Sequence, residues 1–309
     1  MRPSIEYLRR RITAHCLNSR TETAVPGLSL MRADAPTMPV QSVHQPTFCL
    51  IAQGSKQVVL GQRLFAYDAR HYLITTVELP ITGGVTQASA DRPYLALTLA
   101  LDPTRIAALL LDSPDALRDP GTMPGLAVST VTDALLDPVA RLVGLLDRPD
   151  DIPVLAPLIE REILYRLLQG EQGATLRQAA RADSRLSQVS RAIAWIRDHY
   201  AEPFSIGDLA AETGMSPSSF HRHFKAVTMM SPLQFRTRIR LQAARHMLLA
   251  DGQDAAGVGF VVGYDSPSQF SREYRRMFGI PPARDAARLR GPESDRATES
   301  DAGRLAYAQ

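Results

Sequence analysis

The chain has 309 residues, 45% of them hydrophobic, and carries 35 Lys and Arg against 32 Asp and Glu for a net charge of +3. This is enough sequence for two ordinary domains, each with its own core. No apolar run reaches 18 residues, which excludes a membrane-spanning helix. Two cysteines, Cys16 and Cys49, exclude a disulfide framework and fit a reducing cytoplasm. The first residues bring charges at Arg2, Glu6 and Arg9 to Arg11 with no apolar stretch, so no secretory signal is expected.

Ile5, Leu8, Ile12 and His15/Cys16 recur at helical spacing and predict a helix over residues 3–16. From about residue 38 to 101 the pattern changes to short strands. Pro46 to Ala52 reads as a buried strand. Gln57 to Leu60 and Leu64 to Tyr67 flank a Gly61-Gln62 turn. His71 to Val77, Val85 to Ala88 and Tyr94 to Leu101 continue the series, with turn signals at Asp68-Ala69-Arg70, Gly83-Gly84 and Asp91-Arg92-Pro93. Such a series predicts a small antiparallel barrel or jelly roll. After Asp102-Pro103 the pattern is helical: Thr104 to Leu111, then Ser129 to Leu146 with a break at Pro138, then Pro153 to Leu168. The last carries a stripe of Leu155, Leu158, Ile159, Ile163 and Leu167, which suits a dimer contact and packing on its own barrel equally well. Residues 171–187 read as a linker between a first domain, 1–170, and a second, 188–290; the tail 291–309 reads as disordered.

Positive charge gathers in the C-terminal third, with 14 Lys or Arg against 9 Asp or Glu in residues 186–290. A polyanion partner fits that distribution. The cations are almost all arginine, Lys56 and Lys225 being the only lysines. A helix is predicted from Gln188 to Tyr200. Another starts after Ser205, its N-cap, with Asp208 at the third helical position. Thr213-Gly214-Met215 makes a tight turn, and Ser216-Pro217 caps and starts a third helix. Phe220 and Phe224, four apart, enter the core, leaving Ser218, His221, Arg222 and Lys225 exposed. A long helix follows Ser231-Pro232, its Arg236, Arg238, Arg240 and Arg245 divided between phosphate contacts and internal pairs. The design then repeats: Ser266-Pro267 starts a helix with Phe270 and Tyr274 buried and Ser268, Ser271, Arg272 and Arg275 or Arg276 exposed. Two such helices joined by one rigid helix would enter successive major grooves roughly 34 Å apart.

The motifs Asp208-Leu209-Ala210, Met215-Ser216, Phe220 through Lys225, Ser231-Pro232, Ala244-Arg245, and Val262-Gly263-Tyr264 through Phe278-Gly279 with Pro281-Pro282 resemble the AraC/XylS family of bacterial transcription regulators. The resemblance implies that Ser218, His221 and Arg222 meet bases from the first unit, and Ser268 and Arg272 from the second. One departure is Gly259, where the family has alanine. Together with Gly257 it predicts a looser second unit, since each glycine costs about 1 kcal/mol in a helix interior.

Pro46 through Lys56, Tyr67-Asp68, His71-Tyr72-Leu73 and Arg92 through Leu97 are similar to the cupin-type sensing domain of one branch of that family. This implies an α+β protein of two domains: an N-terminal cupin-like β-barrel with flanking helices, and an all-α double helix-turn-helix. It also implies an effector in the barrel, for which His44, Cys49, Tyr67, His71, Tyr72 and Tyr94 are candidates. Cys49 is either a small buried hydrophobe or a thiol that meets an electrophilic effector. The strands hold only His44 and His71 and no His-x-His pair, so neither a metal, a cofactor nor a catalytic residue is expected. His221 and His223 lie two apart on a helix and point to different faces. The reading is therefore a cytoplasmic, non-enzymatic regulator, leaning to activation. Double-stranded DNA and a small-molecule effector are its partners; RNA polymerase and a second copy of the chain are admitted by the family, and a membrane is not. The competing reading is a metal-dependent cupin enzyme fused to a DNA-binding domain.

Overall fold

The computed structural model describes residues 5–111, 124–250 and 254–289. The tail read as disordered lies outside them. In chain order the elements are α1 (Ile5–His15), β1 (Arg20–Glu22), β2 (Leu28–Ala33), β3 (Val40–His44), β4 (Thr47–Gln53), β5 (Ser55–Leu60), β6 (Arg63–Asp68), β7 (His71–Thr75), β8 (Leu79–Gln87), β9 (Tyr94–Ala100), α2 (Pro103–Leu111) and β10 (Leu126–Thr130). They continue as α3 (Asp133–Gly144), α4 (Ile152–Gln169), α5 (Gly173–Ala180), α6 (Arg185–Asp198), α7 (Ile206–Glu212), α8 (Pro217–Thr228), α9 (Pro232–Ala250), α10 (Ala255–Val261), α11 (Pro267–Phe278) and α12 (Pro282–Leu289).

Two antiparallel sheets form the first domain, in the orders β1-β2-β9-β4-β7-β10 and β3-β8-β5-β6. They lie face to face in jelly-roll fashion and do not close into one continuous barrel. Strand alternation decides what each face covers. Along β4, Phe48, Leu50 and Ala52 turn to a core shared with α1, α3 and α4, while Cys49 and Ile51 turn to the opposite sheet.

Five elements depart from the sequence reading, one of them β8, which runs through the expected Gly83-Gly84 turn. Strands β1 and β2 begin the larger sheet, ahead of the predicted series. Residues 126–130 form β10, paired with β7, where helix was expected from Ser129. Pro138 does not break α3: Leu135, Val139, Leu142 and Val143 are all buried along that helix. Each contributes about 1.5–3 kcal/mol, which outweighs the roughly 3 kcal/mol that an interior proline costs.

The expected linker is largely structured. Its residues 173–180 form α5, whose Leu176 enters the first core. Gln172 Nε2 donates to Ser129 Oγ at 2.8 Å and an Arg177 N–H donates to the Leu168 carbonyl at 2.8 Å.

The second core starts between the sheets and runs without interruption into the helices: Cys49, Ile51, Leu73 and Leu79 belong to the same cluster as Leu186, Ile193, Phe220, Phe224 and Phe235. The helical unit α6–α8 is thus welded to the β domain. A third core, with Leu241, Leu248, Val258, Phe270 and Tyr274, is built from the α9–α12 segment, with Tyr200 packed against it. On α4 the predicted stripe divides. Ile159, Ile163 and Leu167 are buried in the first core, whereas Leu158 is 61% exposed beside exposed Val154 and Leu155.

Candidate nucleic-acid interface and effector site

The first helix-turn-helix unit is fixed by its ends. Ser205 Oγ accepts the Gly207 and Asp208 N–H groups at 3.1 and 3.4 Å. Gly214 turns the chain at φ +72°, a conformation that costs glycine nothing. Ser216 Oγ accepts the Ser219 N–H at 3.4 Å, and Pro217 begins α8. Phe220 and Phe224 are fully buried, with ring centroids 5.4 Å apart, and Phe224 meets Phe235 edge-on. Burying that face leaves Ser218, His221, Arg222 and Lys225 exposed on the other.

The second unit copies the plan with different fastenings. Asp254 caps α10 through the Gly257 N–H at 3.2 Å. Ser266 occupies the N-cap position of α11, but its hydroxyl pairs with that of Ser268 at 2.7 Å and makes no cap bond to the backbone. Phe270 and Tyr274 are buried; Ser268, Arg272, Arg275 and Arg276 are exposed, and Ser271 is half-buried where exposure was expected. Gly259 has a structural reason: a Cβ there would lie 3.0 Å from the Phe270 ring. The glycine lets α10 settle on the aromatic face of α11, so the expected looseness is offset by a close approach.

The cations divide into two groups. Three of the four on α9 bond internally. Arg240 donates to the Tyr200 and Ala201 carbonyls at 2.6 and 3.1 Å. Arg236 lies over the Phe204 ring, Arg238 donates to the Gly61 carbonyl at 3.5 Å, and Arg245 pairs with buried Asp285 at 2.9 Å. Of the four expected to divide between phosphate contacts and internal pairs, Arg236 alone makes no hydrogen bond or ion pair among the described residues. By contrast, among the described residues Arg222, Lys225, Arg272 and Arg275 pair with no carboxylate. Arg222 meets the His223 ring at 3.5 Å.

The α8 end of the first unit rests on the β domain. The Gly125 N–H donates to the Val227 carbonyl at 2.9 Å while the Gly125 carbonyl accepts the Thr76 N–H at 2.9 Å. Arg197 pairs with Glu78. Gln41 Nε2 reaches the Met277 carbonyl in the second unit at 3.0 Å.

Among the effector candidates, Cys49, Tyr67 and Tyr94 come together between the sheets, with Tyr67 Oη donating to Cys49 Sγ at 3.6 Å. Burial pushes all three pKa values up. His44 is half-buried, and desolvation, then the charges of Lys56 and Arg20, lower it to about 3. Tyr72 lies on the other side of the sheet, in the first core, its ring 5.5 Å from Phe48. His71 Nδ1 is bonded to Asp68 at 2.8 Å outside the cluster. Sequence reasoning passed over Lys56, whose charge acts on the Cys49 thiol and on His44. Its place two residues before buried Val58 on β5 was the available signal. Among the described residues no three His, Cys, Asp or Glu side chains are grouped to hold a metal ion.

A double β-sheet domain is joined through one shared core to a pair of helix-turn-helix units on a single long helix, which defines a two-domain architecture of β sandwich and helix-turn-helix pair. Two family descriptions match: "AraC-type transcriptional regulator N-terminus" over residues 24–175 and "Helix-turn-helix domain" over residues 209–288. The chain belongs to the AraC/XylS family of transcription regulators. The "HTH-type transcriptional activator RhaS" of Salmonella typhimurium is 29% identical over 154 residues, covering 49% of this chain and 54% of RhaS. The chain thus spans about half the length of the curated relatives it matches. Among solved structures, ToxT of Vibrio cholerae bound to (E)-4-(8-methylnaphthalen-1-yl)but-3-enoic acid superposes with a TM-score of 0.54 at 9% identity, covering 87% of this chain and 99% of that one. A second ToxT structure gives 0.53 at 8% identity, with 89% and 100% covered. At that identity the likeness is one of fold.

Proposed function

We propose that this chain is a sequence-specific transcription regulator that reads double-stranded DNA with α8 and α11 and is controlled by a small molecule held between its two sheets. The observation that carries the reading is the division of cations. Arg238, Arg240 and Arg245 of α9 bond inside the protein, while the cations on the outward faces of α8 and α11 have no acidic partner among the described residues. Ser218, His221 and Arg222 would meet base edges from the first unit, with Lys225 toward phosphate; Ser268, Arg272 and Arg275 would do so from the second, with Ser271 confined to the margin. The name of RhaS supports activation, which requires a contact with RNA polymerase. The organic acid held by ToxT supports an effector in the β domain, at Cys49, Tyr67, Tyr94 and His44.

Control has a short route. Strand β5 carries Lys56 between the sheets and ends at Leu60; the following Gly61 presses on Met229, directly after α8. An effector that shifts β5 shifts the base of the first reading helix with it. A second copy of the chain would dock on α4, where Val154, Leu155 and Leu158 lie exposed. Action takes place in the cytoplasm, where the chromosome is; among the described residues no helix is long and apolar enough to cross a membrane.

The test is to incubate the purified chain with sheared genomic DNA of its source and sequence what it retains. Enrichment of a few intergenic sites sharing one motif, lost in Arg222→Ala, supports the reading. Uniform recovery of DNA, the same with and without candidate effectors, would overturn it.

A further inference from the structure

Helix α11 carries, beside its arginines, one amide and one acid a helical turn apart, Gln269 and Glu273. Gln269 Nε2 donates to one oxygen of the Glu273 carboxylate at 3.3 Å, and Tyr264 Oη donates to the other at 2.9 Å. Tyr264 is 5% exposed, meets Phe270 with ring centroids 5.4 Å apart, and lies under the Arg240 guanidinium. Glu273 is half-buried and Gln269 exposed. A chain of hydrogen bonds thus runs from an aromatic fixed in the third core, through a carboxylate, to a carboxamide in the first turn of the helix.

Two features set this chain apart from an ordinary surface pair. Glu273 engages both oxygens with neutral donors and makes no ion pair among the described residues, although Arg276 stands three positions on, a spacing at which such pairs form. A carboxylate on a helix that approaches phosphate is repelled, so it weakens the contact unless it serves it in another way. The second feature is chemical. A carboxylate only accepts, so the end of the Gln269 side chain that faces it is the NH2 end. The second N–H of that amide and its carbonyl oxygen make no hydrogen bond among the described residues. Ser268, the neighbouring polar side chain of the same turn, is by contrast bonded to Ser266 at 2.7 Å. The first unit has no such chain: half-buried Ser219 stands at the place of Gln269, and His223 at the place of Glu273.

We infer that Gln269 is a specificity-determining residue of the second unit, reading an adenine through its carboxamide, and that Glu273, anchored by Tyr264, is the positioning residue that orients the amide. This rests on the reading of α11 as a helix that enters the major groove. Gln269 stands in the first turn, where base edges are met. Held by Glu273, its amide offers the second N–H to adenine N7 and its oxygen to the adenine N6 amino group. Guanine presents an acceptor, O6, where adenine presents that donor, so the same amide oxygen opposes it. Orientation set before binding also reduces the side-chain freedom lost on the DNA. The adenine requirement belongs to the half-site of the second unit alone.

The experiment selects binding sites for the purified full chain from randomised duplex DNA, with wild type, Gln269→Ala, Glu273→Gln and Tyr264→Phe in parallel. Competition binding then compares the selected consensus with its single-base substitutions. Wild type should return two half-sites, one holding an adenine that Gln269→Ala leaves degenerate while every other position persists. Replacing that adenine by guanine should weaken wild type roughly 10- to 100-fold and Gln269→Ala by less than about twofold. Glu273→Gln and Tyr264→Phe keep Gln269 but should discriminate adenine from guanine severalfold less, with the other positions unchanged; a merely structural role would weaken all positions evenly. The unfolding midpoint of each variant checks that it folds. A Gln269→Ala site preference identical to that of wild type overturns the inference, as does a loss confined to a base other than adenine or spread evenly over the site. Each of those results leaves the chain a sequence-specific DNA-binding protein. Full adenine discrimination in Glu273→Gln overturns the positioning role. A wild-type chain that selects no motif removes the reading of α8 and α11, and this inference with it.

Discussion

Gly61 and Met229 join the two domains backbone to backbone: a Cβ on Gly61 would sit 2.6 Å from the Met229 carbonyl oxygen. Both residues hold positive φ, +63° and +58°, and Met229 is the one non-glycine residue to do so among those described. The β5–β6 turn and the turn after α8 are therefore fitted to one another, each in a conformation that the other helps to hold. Strain of this kind persists where the surroundings over-determine it.

Gly61→Ala should break that fit, since alanine resists the positive φ and its methyl has no room. The expected loss is about 1–3 kcal/mol of unfolding free energy. It is read by urea denaturation followed through Trp195, the one tryptophan, which packs on His199 and Phe204 in the first unit. The same variant should weaken the influence of any effector on DNA binding. An unchanged midpoint would mean that the turn yields freely and the two domains are joined elsewhere.

Arg222 and Lys225 should behave differently although both are exposed cations on α8. Arg222 lies nearer the helix N-terminus, where base edges are met, and its planar fork can pair with guanine. Arg222→Ala should cost about 1–3 kcal/mol on the operator and relax preference at one base position. Lys225→Ala should weaken all sequences alike and lower the salt slope by about one unit. Fluorescence anisotropy across a salt series, on operator and scrambled DNA, separates the two. Equal losses on both DNAs for Arg222→Ala would assign it to phosphate.

Asp285 has no exposed surface, and it ties α12 to α9 and α11: Arg245 Nε donates to it at 2.9 Å and Tyr274 Oη at 2.7 Å. Removing one partner of a buried ion pair strands the other, at about 3–5 kcal/mol. Because the second unit has a core of its own, Asp285→Ala should unfold it ahead of the rest. Far-ultraviolet circular dichroism should then show an early transition that Trp195 fluorescence does not follow. Coincident transitions would mean that α9 transmits the loss to the whole chain.

The helical half was legible residue by residue because its signals are local. Ser205, Ser216 and Gly214 act within a few positions of themselves, and Phe220 and Phe224 mark a buried face by spacing alone. The β half was legible in kind but not in detail. Strand β10 is a five-residue segment stabilised by pairing with β7, some fifty positions earlier, and nothing local announces that. Tyr72 and Cys49 lie on adjacent strands but on opposite faces, and which face looks toward the second sheet is a tertiary fact. Lys56 went unnoticed for the same reason: a charged residue in a strand reads as solvated until the opposite sheet is in place. The docking of Gly61 on Met229 joins positions so far apart in the chain that no sequence window contains both.

His44 supplies a pH dependence whose sign can be worked out. In the folded chain desolvation, with the charges of Lys56 and Arg20, holds its pKa near 3; unfolded, it returns to about 6.5. Between those values the unfolded state binds the extra proton, so this residue's contribution is complete above about pH 6.5 and falls away as the pH drops toward 3. The slope from one such group is at most about 1.4 kcal/mol per pH unit. His223, lowered by burial and then by Arg222, acts in the same direction. Asp68, held near 2 chiefly by the Arg70 backbone N–H, loses its contribution only below the ordinary carboxylate range. Urea midpoints should therefore decline from pH 7 to pH 4.5, and His44→Gln should flatten that decline more than His223→Gln does. If His44→Gln leaves the slope untouched, the imidazole is protonated in the folded protein, and the space between the sheets is wet enough to solvate it.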